Sequence, residues 1–425
     1  MIALDRLRTG SAMTEFKPRS SQRRLPSNLR IVQCMVAVVC LFLSSLSAAD
    51  DRLHALVSGT DVTPPISGLQ IAVIDNGEVS QRFAMGLVGD PDGRPTRLNH
   101  NHKIRVASIS KLVVAIGVMR LVEEAKVSLD TDVSDYLGWT LRNPNHPAQI
   151  ITLRQLMSHT SSIRDAGKYF IAAGEGELRD FFEPDSPLWG DGAHWAPKAE
   201  APGIYFEYAN LNFGVMAEVI ERVSARRFDQ FMREEVLRPL GLAADFNACE
   251  VPRAELGGAL SKRFEGYKWH PERSWAAQVD GQQRVCFYGD AMLENPTEFL
   301  ASYKLGSNAA LFSPQGGLRA SADDLATIMQ LLINKGSHDG KQLLTPTSVD
   351  AMLKPVWQLS STTDNGLSAG EAEPGGDADG LMTSYGLSVH RIDMRAWGFE
   401  KGPRYLVGHL GQAYGVLSHA LFDPV

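Results

Sequence analysis

The sequence predicts an α+β fold: an antiparallel sheet built from N- and C-terminal segments and flanked by helices, with a mostly helical subdomain inserted between them. Three patterns carry that prediction. Leu69 to Asp75 and Val79 to Val88 are alternating, β-branched runs joined by Asn76-Gly77, a strong signal for a short hairpin. Helix patterns with recognisable caps occupy the middle of the chain. Strand-like sequence resumes at Tyr385 to Ile392 and again from Tyr405 onward, and a cleft between the sheet and the helical insert is the natural place for a site.

Between those ends each element has a local cause. Ser108 to Ala125 is apolar on most sides, through Leu112, Val113, Ile116, Met119 and Val122, so it reads as a core helix. Thr152 with Gln155 forms a capping box for a short helix through Met157. Leu211 to Val223 is amphipathic and leads to Phe228 to Leu237 and then Pro239-Leu240-Gly241. Ser321 with Asp324 caps a helix running toward Gly336, and Thr345-Pro346 opens another. Ser360 to Gly380 is rich in Ser, Gly, Asp and Glu, which predicts a flexible surface loop. No internal repeat is evident, and motifs drawn from distant segments make residues 50–425 one interdependent unit.

Residues 1–49 read as an export signal. Lys17, Arg19, Arg23, Arg24 and Arg30 precede the apolar run Ile31 to Leu46 and the small residues Ser47-Ala48-Ala49, which puts cleavage after Ala49. An uncleaved N-terminal anchor is the alternative, but sixteen residues interrupted by Gln33, Ser44 and Ser45 fall short of the roughly 20 apolar residues a span needs. The expected product is periplasmic or extracellular and has no stable membrane span. Without residues 1–49 it carries 35 Lys and Arg against 47 Asp and Glu, a formal charge of −12, which argues against nucleic acid and anionic membranes as partners. Of the four cysteines only Cys249 and Cys286 then remain; in an oxidising compartment they can pair, or they can stay as two buried thiols.

Ser108-Ile109-Ser110-Lys111 is a Ser-x-x-Lys pattern at the start of the core helix. The i, i+3 spacing puts hydroxyl and amine on one helix face. A lysine whose charged form is disfavoured by burial can take the proton that makes a serine nucleophilic, and the helix N-terminus favours developing negative charge. Alone, the pattern also fits a plain N-cap and a solvated lysine. Tyr208-Ala209-Asn210 lies just before the next long helix, after Pro202-Gly203 and Glu207. Tyr208 can relay a proton and Asn210 can bond a substrate amide, or the two are a core aromatic and a helix cap. His409-Leu410-Gly411 lies in strand-like sequence near the C-terminus.

Together the three patterns become specific. They follow in the order Ser-x-x-Lys, Tyr-x-Asn, His-x-Gly, with 100 residues from Ser108 to Tyr208 and 201 from Tyr208 to His409. The chain resembles the β-lactamase and penicillin-binding-protein superfamily, in its branch of class C β-lactamases, D-alanyl-D-alanine peptidases and related esterases. Leu156-Met157-Ser158-His159-Thr160-Ser161, Pro202 to Asn210, and Gly316-Gly317-Leu318 with Ser321 to Leu325 are similar to further stretches of that family. The resemblance implies a β-lactamase/transpeptidase-like fold and a serine hydrolase without cofactor or metal. Such an enzyme acts through a covalent acyl-enzyme on ester or amide bonds of a small-molecule or peptidoglycan-like acyl substrate. Ser108 would attack, Lys111 and Tyr208 would manage its proton, and Asn210 would position the substrate. The backbone N–H groups of Ser108 and Gln412 would form the oxyanion hole. His409 would stand where the family has the lysine of Lys-Thr-Gly, and Gly411 would let substrate lie against the strand. His159 would pack rather than react.

Two departures shape the expected specificity. His409 is largely neutral at pH 7 and Leu410 replaces a hydroxyl donor, so donors for a substrate carboxylate are lost and esters are favoured over penicillins or peptides ending in a free carboxylate. An inactive relative that binds a cell-wall fragment or a protein is the alternative, and retention of Ser108, Lys111, Tyr208 and Asn210 argues against it. In the family the chain continues past the Asp-Pro that here is Asp423-Pro424 with one more strand and a long helix. Their absence predicts a C-terminally truncated sheet. Gly366-Leu367-Ser368-Ala369-Gly370 matches a nucleophile-elbow pattern but lies inside the loop-like stretch, and His100 with His102 lacks the further ligands that zinc requires.

Overall fold

The computed structural model describes residues 3–4, 46–58, 66–261, 263–264, 268–269, 274–277, 286–368, 382–413 and 415–425. The export signal expected at residues 1–49 falls almost wholly outside them, as do residues 369–380 of the loop-like stretch. Among the described residues no helix is long and apolar enough to cross a membrane.

The hairpin forms as its turn dictates. Strand β1 (Gly68–Asp75) pairs antiparallel with β2 (Glu78–Gly89). Asn76 and Gly77 both sit at positive φ, 53° and 81°, the backbone that a tight two-residue hairpin turn requires. β3 (Pro95–Arg97) continues the sheet from the far end of β2. Near the C-terminus β4 (Trp357–Gln358), β5 (Ser384–Tyr385), β6 (His390–Asp393), β7 (Tyr405–Ala413) and β8 (Val416–Phe422) form a second antiparallel set in that order. Among the described residues the two sets are separate hydrogen-bonded sheets, and a two-residue strand, Ala3–Leu4, runs parallel to Ala72 and Val73 on β1.

The helices start where their caps predict. Helix α1 (Leu46–Ser58) precedes the hairpin, and α2 (Ile109–Glu123) is the core helix, its residues from Ile109 to Met119 buried throughout. Thr152 accepts from Gln155 N, and the Gln155 side chain reaches back, ahead of α3 (Leu153–Met157). α4 (Leu211–Ser224) and α5 (Phe228–Met232) complete the insert. The stretch expected to be helical through Leu237 widens to a π-helical turn from Arg233, whose guanidinium pairs with Asp245 at 2.6 Å. Ser321 and Asp324 make a capping box for α6 (Ala322–Ile333), and Thr345 caps α7 (Pro346–Leu353).

Packing unites what the ladders do not. On one face α1 buries Leu53 and Leu56 against Leu69 and Ile71 of the hairpin and Ile392, Leu406 and Leu421 of the C-terminal strands. On the other, Ala72, Ile74, Val407, Ala420 and Phe422 share one core with α2, α4 and α6. Burying each Leu, Ile or Val side chain contributes about 1.5–3 kcal/mol, so the turn at the start of α2 is anchored by the whole core. Cys249 and Cys286 form a disulfide, which settles the choice the sequence left open.

Candidate active site

Ser108 stands at the entrance to α2 in helical backbone, after Ala107 at φ 49°. Two serines fix this turn. Ser110 Oγ donates to Ala107 O at 2.7 Å and accepts from Leu318 N at 3.0 Å, and Ser418 Oγ on β8 donates to Val106 O at 2.7 Å. One helical turn on, Lys111 is fully buried, as the i, i+3 spacing and the apolar helix together require. Its Nζ lies 2.9 Å from Ser108 Oγ, 2.7 Å from Asn210 Oδ1 and 2.9 Å from the carbonyl of Gln315. The solvated lysine that the motif alone allowed is therefore excluded.

Tyr208 and Asn210 arrive on the loop that ends at α4. The Tyr208 ring stacks on His159 at 4.2 Å and passes 4.7 Å from Lys111 Nζ. Asn210 occupies the N-cap position but makes no capping bond with its side chain; the carboxylate of Asp165 accepts from Asn210 N, Asn210 Nδ2 and Leu211 N instead. The stretch His159 to Asp165 is thus the template for the Tyr208 loop. His159 O accepts from Glu207 N, and its Nδ1 accepts from Ala209 N at 3.0 Å. Burial holds the His159 imidazole well below its usual range, and it does pack, as its place in the motif implied.

β7 brings the third motif alongside. An ideal Cβ on Gly411 would lie 3.0 Å from Ser108 N and 2.6 Å from Val106 O, so only glycine lets the strand run against the Ser108 turn. β6 pairs with β7 only as far as Gly408, while His409 to Ala413 pair with β8. Among the described residues the other edge of that stretch carries no ladder. Gln412, with an exposed side chain, lies on this stretch.

His409 and Leu410 differ from expectation. His409 is fully buried; its Nδ1 faces Leu410 O at 2.5 Å and its Nε2 meets Tyr385 OH at 3.0 Å. A carbonyl can only accept, so the proton sits on Nδ1 and Tyr385 donates to Nε2. Burial, with His390 at a ring distance of 4.1 Å, keeps His409 well below its usual pKa and His390 at about 3. Contact between His409 and a substrate would require the ring to leave both partners. Leu410 packs against the cluster on the α1 side of the sheet, because successive strand residues face opposite ways, so it does not line the cleft as the sequence argument assumed.

Asp165, the Gln315 carbonyl, Ser418, Tyr385 and His390 escaped the sequence reading. Only Asp165 carried a signal, a carboxylate four residues beyond the stretch Leu156 to Ser161 that the resemblance marked. Beside the decoy serine, Leu367 N donates to Phe206 O and Ser368 O accepts from Met382 N; residues 369–381, where the helix of a nucleophile elbow would run, lie outside the described residues.

Comparison with known proteins gives the same answer. Protein flp of Staphylococcus aureus (strain N315) is 25% identical over 177 residues, 41% of this chain and 34% of that protein. Esterase EstB of Burkholderia gladioli is 30% identical over 209 residues, 47% of this chain and 52% of that protein. The matches thus span about a third to a half of these curated relatives. Among solved structures, the penicillin binding protein from Bacillus halodurans shares the fold with a TM-score of 0.54 at 21% identity, over 88% of this chain and 90% of that one. The family model described as beta-lactamase matches residues 54–425, every element of the cleft included, and the chain belongs to the beta-lactamase family.

Proposed function

We propose that this protein is a serine hydrolase that is acylated at Ser108 and prefers uncharged esters. The observation that carries the reading is the set of partners around the Lys111 amine. Asn210 Oδ1 and the Gln315 carbonyl can only accept. Lys111 Nζ also donates to Ser108 Oγ at 2.9 Å; in its neutral form the amine would keep two N–H bonds to the other acceptors and turn its lone pair to the Ser108 hydroxyl. In the reaction the Ser108 proton passes to Lys111 while Oγ bonds to the substrate carbonyl carbon, and the carbonyl electron pair moves to oxygen, held by N–H groups at Ser108 and Gln412. The bond to the leaving alkoxide then breaks, and the proton on Lys111 leaves with the alcohol, relayed by Tyr208. Water repeats the sequence on the acyl-enzyme, releasing the acid and restoring Ser108.

The preference for esters rests on His409 rather than on Leu410. A buried carboxylate must be matched by donors, and the neutral His409 ring is committed to Leu410 O and Tyr385. The likeness to an esterase over about half of that protein supports the same reading. The test is turnover of a short acyl ester against an analogue that bears a free carboxylate beside the scissile bond. The ester is expected to give the higher kcat/KM, by about tenfold or more, and equal or reversed values would overturn the preference.

Export is part of the proposal. The pattern of residues 1–49 and the Cys249–Cys286 disulfide support an oxidising compartment. N-terminal sequencing of the expressed protein should begin at Asp50; a cytoplasmic, full-length chain would contradict it.

A further inference from the structure

Given the acylation chemistry proposed for Ser108, we propose that Asp165 is a positioning residue that sets which way the Asn210 amide faces. Asp165 Oδ2 accepts from both Asn210 N and Asn210 Nδ2 at 3.0 Å, and Oδ1 accepts from Leu211 N at 2.9 Å. With Nδ2 held by a carboxylate, Oδ1 is the end turned to Lys111 Nζ, at 2.7 Å. The two ends of a carboxamide have nearly the same shape and opposite hydrogen-bonding sense. Turned over, the amide would point a donor at Lys111, which suits the free amine and opposes the ammonium formed when Ser108 gives up its proton. Asp165 therefore biases the site toward the proton-transferred state by way of the Asn210 amide.

Among the described residues, Lys111 is faced by Ser108 on its own helix, Tyr208 and Asn210 on the loop, the Gln315 carbonyl, His159 on the template stretch, and His390 and His409 on the sheet. Burial keeps the three imidazoles neutral near and above neutral pH. The Asp165 test reads the acid limb of the pH–rate profile, to which these three rings do not contribute near neutral pH.

The experiment uses the full chain with Asp165→Asn, Asp165→Ser and, as a control, Ser321→Ala, which removes the capping box of α6 and leaves the Asp165 to Asn210 bonds in place. Both Asp165 variants should lower kcat about 10- to 100-fold with KM little changed. They should also move the acid limb of kcat/KM to lower pH by about half a unit or more, because an acceptor and a negative charge that favour the ammonium are both lost. Ser321→Ala should lower the Tm and leave the profile in place. Asp165 variants that lose Tm with an unmoved acid limb, or that fail to fold, would mark Asp165 as a helix cap alone and overturn the proposal. Wild-type protein that is not acylated at Ser108 would overturn the hydrolase reading itself, a separate result.

Discussion

Helix α4 carries a buried titratable cluster at each end, and the two have opposite chemistry. At its N-terminal end Tyr208 and Asn210 lead to Lys111, His159, His390 and His409; toward its C-terminal end lie Glu218 and Glu221, both buried. Burial opposes charge in either place. It strips protons from the imidazoles, taking His390 to about 3, and keeps them on the carboxyls, raising Glu221 to about 7 and Glu218 well above its ordinary value. What separates the ends is what their polar atoms face. Glu221 accepts from Phe228 N at 2.9 Å, Gly306 N at 2.7 Å and Tyr303 OH at 2.9 Å, so it braces α4 against the start of α5 and the 303–306 loop. Lys111 faces a hydroxyl beside an open strand edge. Burial alone shifts protonation; a site also needs a proton to move and a place for substrate.

The comparison can be broken by substitutions at either end. Glu221→Ala is expected to have the larger effect on stability, leaving Phe228 N, Gly306 N and Tyr303 OH without that acceptor at about 1–3 kcal/mol each. Glu221→Gln sharpens the electrostatic part. The folded pKa of Glu221, about 7, lies above its ordinary 4.5, so its contribution is full below pH 4.5 and is lost as pH rises through 7. Thermal melts across that window should show a smaller decline for the Gln variant than for wild type. His390 has the reverse sign: its folded value of about 3 lies below 6.5, so stability present above pH 6.5 is lost as pH falls toward 3. Neither ring nitrogen of His390 has a hydrogen-bond partner among the described residues. His390→Leu should therefore change stability by only about 1–2 kcal/mol at pH 8 and be less sensitive to acid. Parallel pH profiles for wild type and both variants would refute the contrast.

What the sequence made legible is what depends on neighbours in the chain. Asn76-Gly77, the capping boxes at Thr152 and Ser321, and the Ser108 to Lys111 spacing each act within a few residues, and each is found where predicted. The Asp165 carboxylate meets Asn210 across 45 residues and the Gln315 carbonyl meets Lys111 across 204, contacts that no local pattern encodes. Leu410 shows a subtler limit. Its place in the third motif was readable, but which face of β7 it shared was not, and the pleat sends it toward α1. The inward turn of His409 was hidden for the same reason, since its partner Tyr385 comes from another strand.

The central claim is that Ser108 is a nucleophile driven by Lys111. Its most direct measurement is intact-protein and peptide mass spectrometry after reaction with a fluorophosphonate. Wild-type protein should gain one adduct, mapped to Ser108. Ser108→Ala should gain none, and Lys111→Ala should react about 10²- to 10⁴-fold more slowly while melting as a folded protein. An adduct that persists in Ser108→Ala, or undiminished reactivity in Lys111→Ala, would contradict it.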